Sequence, residues 1–132
     1  SLEELLKRSD FISLHVALTD ATRGLISREN LRLVKSGAYL INTSRGEITD
    51  ETALAEALRE GHLAGAALDV YQVEPLPPVH PLWDLSNVII TPHVAADGPY
   101  VDDRRTEVFL DNCKRFDEGK PLRNVVDKAK WF

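Results

Sequence analysis

The stretch Ala38-Tyr-Leu-Ile-Asn-Thr-Ser-Arg-Gly-Glu-Ile-Thr-Asp-Glu51 decides the fold of this chain. The apolar run Ala38–Ile41 is long enough for a buried strand, and small polar residues follow it. Thr49 and Asp50 can each cap a helix that begins near Glu51. In open α/β sheets ligands bind beyond the carboxyl ends of the strands. A guanidinium there, such as that of Arg45, holds planar anions through two parallel hydrogen bonds. A solvated surface arginine is the alternative that this stretch alone leaves open.

Strand-like and helix-like segments alternate along the rest of the chain. The strand-like runs are continuously apolar, which is typical of a parallel sheet with helices on both faces. We therefore predict an α/β fold. The predicted strands are 11–18, 38–43, 64–70 and 87–91, and the predicted helices begin at Ser1 and Ser27 and span 50–60 and 99–118.

The composition excludes several classes of protein. The chain has 132 residues, 43% hydrophobic and 28% charged, which argues against disorder. A net charge of −5 leaves no basic footprint for nucleic acid or an anionic membrane. No apolar run reaches the ~18 residues of a membrane span, and we expect no signal peptide. We expect a cytoplasmic protein with neither a nucleic-acid nor a membrane partner.

The single cysteine excludes an internal disulfide, and no metal-ligand cluster is visible in the sequence. Cys113 shares one face of the last predicted helix with Val108, Phe109 and Phe116, and we expect that face to point inward. We interpret Cys113 as a core residue rather than a nucleophile.

Polar side chains follow each predicted strand. Right-handed crossovers place the carboxyl ends of parallel strands at one edge of a sheet, so these side chains should converge there. Their convergence favours a ligand site over separate surface roles. They are His15, Asn42 to Arg45, Asp69 with Glu74, and His93.

Six stretches resemble, in the family's own order, the C-terminal part of the D-isomer-specific 2-hydroxyacid dehydrogenases. The resemblance implies a Rossmann-like parallel sheet that is partial, with its first two strands and the substrate domain missing. It assigns residues 1–98 to the C-terminal portion of the NAD(P)-binding domain and 99–132 to a C-terminal helix and tail. The six stretches are Ser9–His15, Leu18–Leu25, Leu40–Gly46, Gly65–Val70, Glu74–Pro77 and Asn87–His93.

The resemblance also implies a catalytic triad of Arg45, Glu74 and His93. Arg45 would hold the carboxylate of a 2-oxo acid. His93 would donate a proton in reduction and accept one in oxidation, because an imidazole exchanges protons near neutral pH. Glu74 would accept a hydrogen bond from the far ring nitrogen of His93 and favour its charged form. The cofactor, NAD or NADP, would lie against His15, Val16, Thr22, Thr43, Ser44, Arg45, Asp69, His93 and Ala95.

Several of these residues have alternative interpretations. Asp69 either hydrogen-bonds the nicotinamide carboxamide or caps a loop, and His15 is equally explained as a satisfied histidine at a strand end. His80, in a proline-rich loop, either lines the pocket or is a loop residue with no part in the site. Glu47 and Glu51 are expected to serve a helix dipole rather than catalysis.

The chain lacks the Gly-x-Gly-x-x-Gly turn that holds a pyrophosphate at a helix N-terminus. We therefore expect it to be inactive alone. We also expect the family's first two strands to leave a gap between strands 11–18 and 38–43. Strand 11–18 should then be displaced or paired with another copy of the chain, and a homo-oligomer should form.

The sequence thus predicts a fragment of an oxidoreductase that transfers a hydride between a nicotinamide cofactor and a D-2-hydroxy acid or 2-oxo acid. The alternative is a non-catalytic, NAD-binding protein-interaction module of the corepressor type, which some proteins of this fold are. Turnover of small 2-oxo acids would distinguish the two.

Overall fold

The computed structural model describes residues 1–129. The chain divides into two compact units, Ser1–Ala95 and a second that begins at Ala96. The first unit holds a four-stranded parallel sheet in the order β1-β2-β3-β4. Its strands are β1 (Phe11–Leu14), β2 (Tyr39–Asn42), β3 (Gly65–Leu68) and β4 (Val88–Ile90), its helices are α1 (Leu2–Arg8), α2 (Arg28–Leu33) and α3 (Glu51–Arg59), and short 3₁₀ turns span Gly46–Ile48 and Pro81–Asp84.

The three helices of the first unit begin at their predicted caps. Ser1 and Ser27 each accept a hydrogen bond from the backbone three residues on, and Asp50 accepts one from the Ala53 amide at 2.9 Å. Gly61, at φ +73°, ends α3 in the left-handed conformation. The strands are shorter than predicted, so the polar residues that follow them lie in loops.

The core of the first unit lies on one face of the sheet. Leu14, Leu40 and Leu68 point from the strands into one cluster with residues of α1, α2 and α3. Successive right-handed crossovers that advance in one direction place their helices on the same side. The opposite face is open, with Phe11 69% and Ile89 67% exposed. The parallel, Rossmann-like sheet is confirmed, but no helix of residues 1–95 covers its second face.

The prediction for the first strand is wrong. β1 pairs directly with β2, in a register that joins Phe11 to Tyr39 and Leu14 to Asn42. The Phe11 and Tyr39 rings stack, with centroids 5.1 Å apart and planes inclined by 10°. The crossover through α2 returns the chain beside the strand that it left. The predicted gap between these strands therefore does not exist, and β1 needs no second copy to pair.

The second unit contains the helix α4 (Val101–Asp117). No α4 residue is buried: Phe109 is 67% and Phe116 79% exposed, and Cys113 is exposed as well. The prediction of an inward face is wrong, because no element within residues 96–129 packs across those side chains. The following chain folds back onto α4 through two bonds between Asn112 and the Arg123 backbone, of 2.8 and 3.0 Å.

Residues 1–129 include no helix with the length and apolar character needed to cross a bilayer. In the same residues no three His, Cys, Asp or Glu side chains gather as they would around a metal ion. The last three residues of the predicted tail lie outside the described part of the chain.

Candidate active site

The three predicted catalytic residues follow three neighbouring strands. Arg45 lies just beyond β2, Glu74 beyond β3 and His93 beyond β4. Because these strands are parallel and directly paired, their carboxyl ends form one edge of the sheet. The structure thus brings the three side chains to the same edge, as the sequence predicts.

A direct hydrogen bond joins two of them. Nδ1 of His93 lies 2.7 Å from Oε2 of Glu74, while the other oxygen of Glu74 accepts the Tyr71 amide at 3.0 Å. Burial raises the pKa of Glu74, but the bonds from His93 and Tyr71 and the positive charges of His93 and Arg45 outweigh it, so this pKa lies below its ordinary value. Glu74 is therefore ionised at neutral pH, and Nδ1 of His93 must carry the proton that it donates.

The other ring nitrogen of His93 has no hydrogen-bond partner within residues 1–129. The tautomer fixed by Glu74 determines the chemistry of this nitrogen, Nε2. In the charged ring it carries a proton to donate, and in the neutral ring it is a base. The pair is therefore built for proton transfer at one exposed atom.

The loop that carries His93 is held by Asp69. His93 has φ +56°, a left-handed conformation that is uncommon outside glycine. Asp69, 4% exposed, accepts Thr91 Oγ1 and the Val94 amide on Oδ1, at 2.6 and 2.9 Å, and the Ala95 amide on Oδ2, at 2.8 Å. Burial raises the pKa of Asp69, but these three bonds lower it by more, so this pKa lies below its ordinary value. Asp69 thus holds the Thr91 side chain before His93 and the backbone after it.

A buried amide at the end of β2 shapes the loop that carries Arg45. Asn42 is 1% exposed; its Nδ2 donates to the Arg45 carbonyl at 2.9 Å, and its Oδ1 accepts the Ser44 amide at 3.0 Å. The Arg45 side chain is exposed, and its Nη1 donates to the Ser44 carbonyl at 2.6 Å. The guanidinium is near enough to Glu74 to lower the pKa of that carboxyl.

The loops carrying Arg45 and Glu74 touch at the backbone. A Cβ atom on Gly46 would lie 2.0 Å from the Tyr71 carbonyl carbon and 2.4 Å from the Gln72 nitrogen, so only glycine fits. The Gln72 side chain donates to the Thr49 carbonyl at 2.8 Å across the same contact. Two rigid strands and one close backbone contact therefore set the separation of Arg45 and Glu74.

The predicted cofactor residues lie beyond the strand ends. His15 and Val16 are exposed just past β1, with Nε2 of His15 2.7 Å from Ser13 Oγ. Thr22 donates to the Ala17 carbonyl at 2.6 Å and so closes the loop after β1. Their contacts with a cofactor, and those of Thr43, Ser44, Arg45, Asp69, His93 and Ala95, stay a prediction.

The residues present fit a nicotinamide carboxamide at one point. Each carboxylate oxygen can accept two hydrogen bonds. Among the described residues, Oδ1 of Asp69 accepts two bonds but Oδ2 accepts only the Ala95 amide. Oδ2 therefore keeps one free acceptor position for an amide N–H. Asp69 therefore caps the loop, and its bond to a nicotinamide carboxamide stays a prediction.

Sequence reasoning missed the residues that join the loops. The Tyr71 hydroxyl lies 2.7 Å from the Leu68 carbonyl and 2.9 Å from that of Thr91, and so links β3 to the end of β4. Burial raises the pKa of Tyr71 to about 12. The signals available were a tyrosine two residues beyond Asp69 and a glycine directly after Arg45.

The chain is similar to proteins of known family. A family model for the D-isomer specific 2-hydroxyacid dehydrogenase NAD binding domain matches residues 1–95. The glyoxylate reductase of Thermofilum pendens is 55% identical over 127 residues, which are 96% of this chain and 38% of that protein. The D-3-phosphoglycerate dehydrogenase of Methanocaldococcus jannaschii is 44% identical over 126 residues, 96% of this chain and 24% of that protein.

A solved structure shares the fold. The D-isomer specific 2-hydroxyacid dehydrogenase of Xanthobacter autotrophicus Py2, in complex with NADPH and MES, superposes with a TM-score of 0.90 at 40% identity. The match covers 99% of this chain and 53% of that one. The chain therefore spans at most about half the length of these proteins.

Proposed function

Because this chain belongs to the D-isomer-specific 2-hydroxyacid dehydrogenase family, we propose that it supplies the acid–base pair and much of the cofactor site of such an enzyme. The reaction is the interconversion of a D-2-hydroxy acid and a 2-oxo acid with NAD or NADP. One observation carries the proposal: the 2.7 Å bond between His93 and Glu74, at a sheet edge where the charge of Arg45 also lowers the pKa of Glu74.

A nicotinamide cofactor bound at this site would supply or accept the hydride. The chain's own residues bind and orient the substrate and transfer the proton. Arg45 binds the substrate carboxylate, and this fixes the orientation of the adjacent carbonyl. In reduction Nε2 of His93 gives its proton to the carbonyl oxygen, and in oxidation it takes the hydroxyl proton. Glu74 holds the ring through Nδ1 and stabilises its charged form.

The test is a hydride-transfer assay on the complete gene product. Purified protein is mixed with NADH or NADPH and with glyoxylate, hydroxypyruvate or phosphohydroxypyruvate, and loss of the reduced cofactor is followed. We expect turnover with at least one pair and a loss of about 10²–10⁴-fold in the His93→Gln variant, the usual contribution of a general acid. No turnover, with cofactor binding retained, would favour the protein-interaction module instead.

Three further expectations belong to this proposal. Residues 1–132 expressed alone should not turn over substrate, because the chain has no Gly-x-Gly-x-x-Gly turn to hold the pyrophosphate. We propose a homo-oligomer, which light scattering on the purified protein tests. A cytoplasmic location is also proposed, and cell fractionation tests it.

A further inference from the structure

A second carboxylate–imidazole contact lies behind the candidate site. Glu51, the first residue of α3, is 8% exposed. Its Oε1 accepts the Gln72 amide at 2.6 Å, and its Oε2 lies 3.5 Å from Nε2 of His80. The Leu82 amide donates to Nδ1 of His80 at 3.4 Å, which places the proton of the neutral ring on the nitrogen that faces Glu51. Glu51 thus reaches the loop of Glu74 at two points.

A role at the helix dipole does not explain this arrangement. A carboxylate in a first helical turn interacts favourably with the dipole while exposed to water, as Glu47 is in the preceding turn with 36% of its side chain exposed. Glu51 is buried instead, and burial raises its pKa, although the Gln72 amide and His80 act against this. Burying a carboxylate is unfavourable unless it is hydrogen-bonded or paired, and Glu51 obtains both from Gln72 and His80.

The bond from Glu51 to Gln72 joins the two loops of the candidate site. The 3₁₀ turn that begins after Arg45 runs directly into α3, so Glu51 moves with the Arg45 loop. Gln72 lies between Tyr71, whose amide binds Glu74, and Glu74 itself. The bond from Glu51 to the Gln72 amide therefore connects the two loops at the same Gln72 nitrogen that lies against Gly46.

We propose that Glu51 is a positioning residue, whose carboxylate ties the loop carrying Arg45 to the loop carrying Glu74 and so holds the substrate-binding cation at a fixed distance from the acid–base pair. The effect on catalysis rests on the proposed function. The structural part, the tie between the loops, does not. The titratable groups around Glu51 are His80 and Glu74, both from the segment that joins β3 to the 3₁₀ turn at Pro81, and Glu47 from the 3₁₀ turn before α3.

Three variants of the complete gene product test this. Glu51→Ala removes the tie, Glu51→Gln keeps an oxygen that can accept the Gln72 amide, and Glu47→Ala removes a nearby carboxylate that does not contact the Glu74 loop. We expect Glu51→Ala to lower kcat/KM by about 10- to 100-fold, as displacements of about an ångström do. Its KM for the 2-oxo acid should rise and its kcat fall, while cofactor affinity stays unchanged.

The controls separate positioning from a general loss of stability. Glu51→Gln should recover most of the activity, because its amide oxygen can still accept the Gln72 amide. It should be slightly less stable than the wild type at pH 7, because its NH2 group then faces the N–H of His80. Glu47→Ala should behave like the wild type. A folded Glu51→Ala variant with wild-type kinetics would overturn the proposal. If that variant does not fold, Glu51→Asp, whose shorter side chain cannot reach Gln72, decides in the same way.

A second measurement does not depend on turnover. Hydrogen exchange at the Gln72 amide should be faster in Glu51→Ala, or in Glu51→Asp where that variant replaces it, than in Glu47→Ala. Equal protection would overturn the tie between the loops. If the wild type turns over no 2-oxo acid, the proposed function fails, and this comparison still decides whether Glu51 joins the loops.

Discussion

Replacing Gly46 by alanine should separate the two loops that carry the candidate site. The added Cβ would lie 2.0 Å from the Tyr71 carbonyl carbon, whereas ordinary contact begins at 3.4 Å. The loops must therefore move apart by roughly 1.4 Å, because a close-packed interior has no slack. The obstacle is backbone rather than a flexible side chain, so we expect the upper end of the ~1–3 kcal/mol that overpacking costs.

The effect on catalysis follows from the same displacement. A misplacement of about 1 Å can lower a rate ~10²-fold, and we expect a loss of at least that size in kcat/KM for Gly46→Ala. The assay is 2-oxo acid reduction by the complete gene product, with urea unfolding for stability. Gly98→Ala is the control, since its Cβ would meet Val101 at 3.5 Å, an ordinary contact. Wild-type rate and stability in Gly46→Ala would refute the reasoning.

Three more changes test the site. Glu74→Gln should shift the pH–rate profile to lower pH, because His93 loses the carboxylate that favours its charged form; an unchanged profile would count against this role. Asp69→Asn should cost about 2–3 kcal/mol in urea unfolding at pH 7, since its amide would face a backbone donor. The lowered pKa of Asp69 gives stability that is present above its unfolded value and lost as pH falls, so this acid-dependent loss should shrink in the variant. Tyr71→Phe should cost about 1–2 kcal/mol at pH 7, yet lose less stability than the wild type between pH 10 and 12, because the raised pKa of Tyr71 makes folding of the wild type less favourable as pH rises through that range.

The features that were predictable from sequence are those set by local chemistry. Ser1, Ser27 and Asp50 cap helices because a side-chain oxygen three residues before a free amide satisfies it in any context. The common edge that gathers Arg45 and His93 follows from alternating strands and helices, since parallel strands end on the same side. The roles of the two residues stay a prediction.

The features that sequence could not supply depend on contacts between distant segments. Nothing in the chain's local pattern shows that Gly46 touches the Tyr71 backbone or that Glu51 reaches Gln72, because both contacts exist only after the crossover through α3 has closed. The apolar spacing of α4 predicted an inward face, but Phe109 and Phe116 are exposed, since spacing records which residues share a side and not what covers it.

The order of the strands has a consequence for how the protein is made. Each of β2, β3 and β4 pairs with the strand that precedes it in the chain. During translation, which proceeds at about 5–20 residues per second, these three strands each emerge from the ribosome after their partner has been made. The sheet can therefore grow co-translationally by adding to one edge, and the edge that bears Arg45, Glu74 and His93 is complete only when β4 has joined.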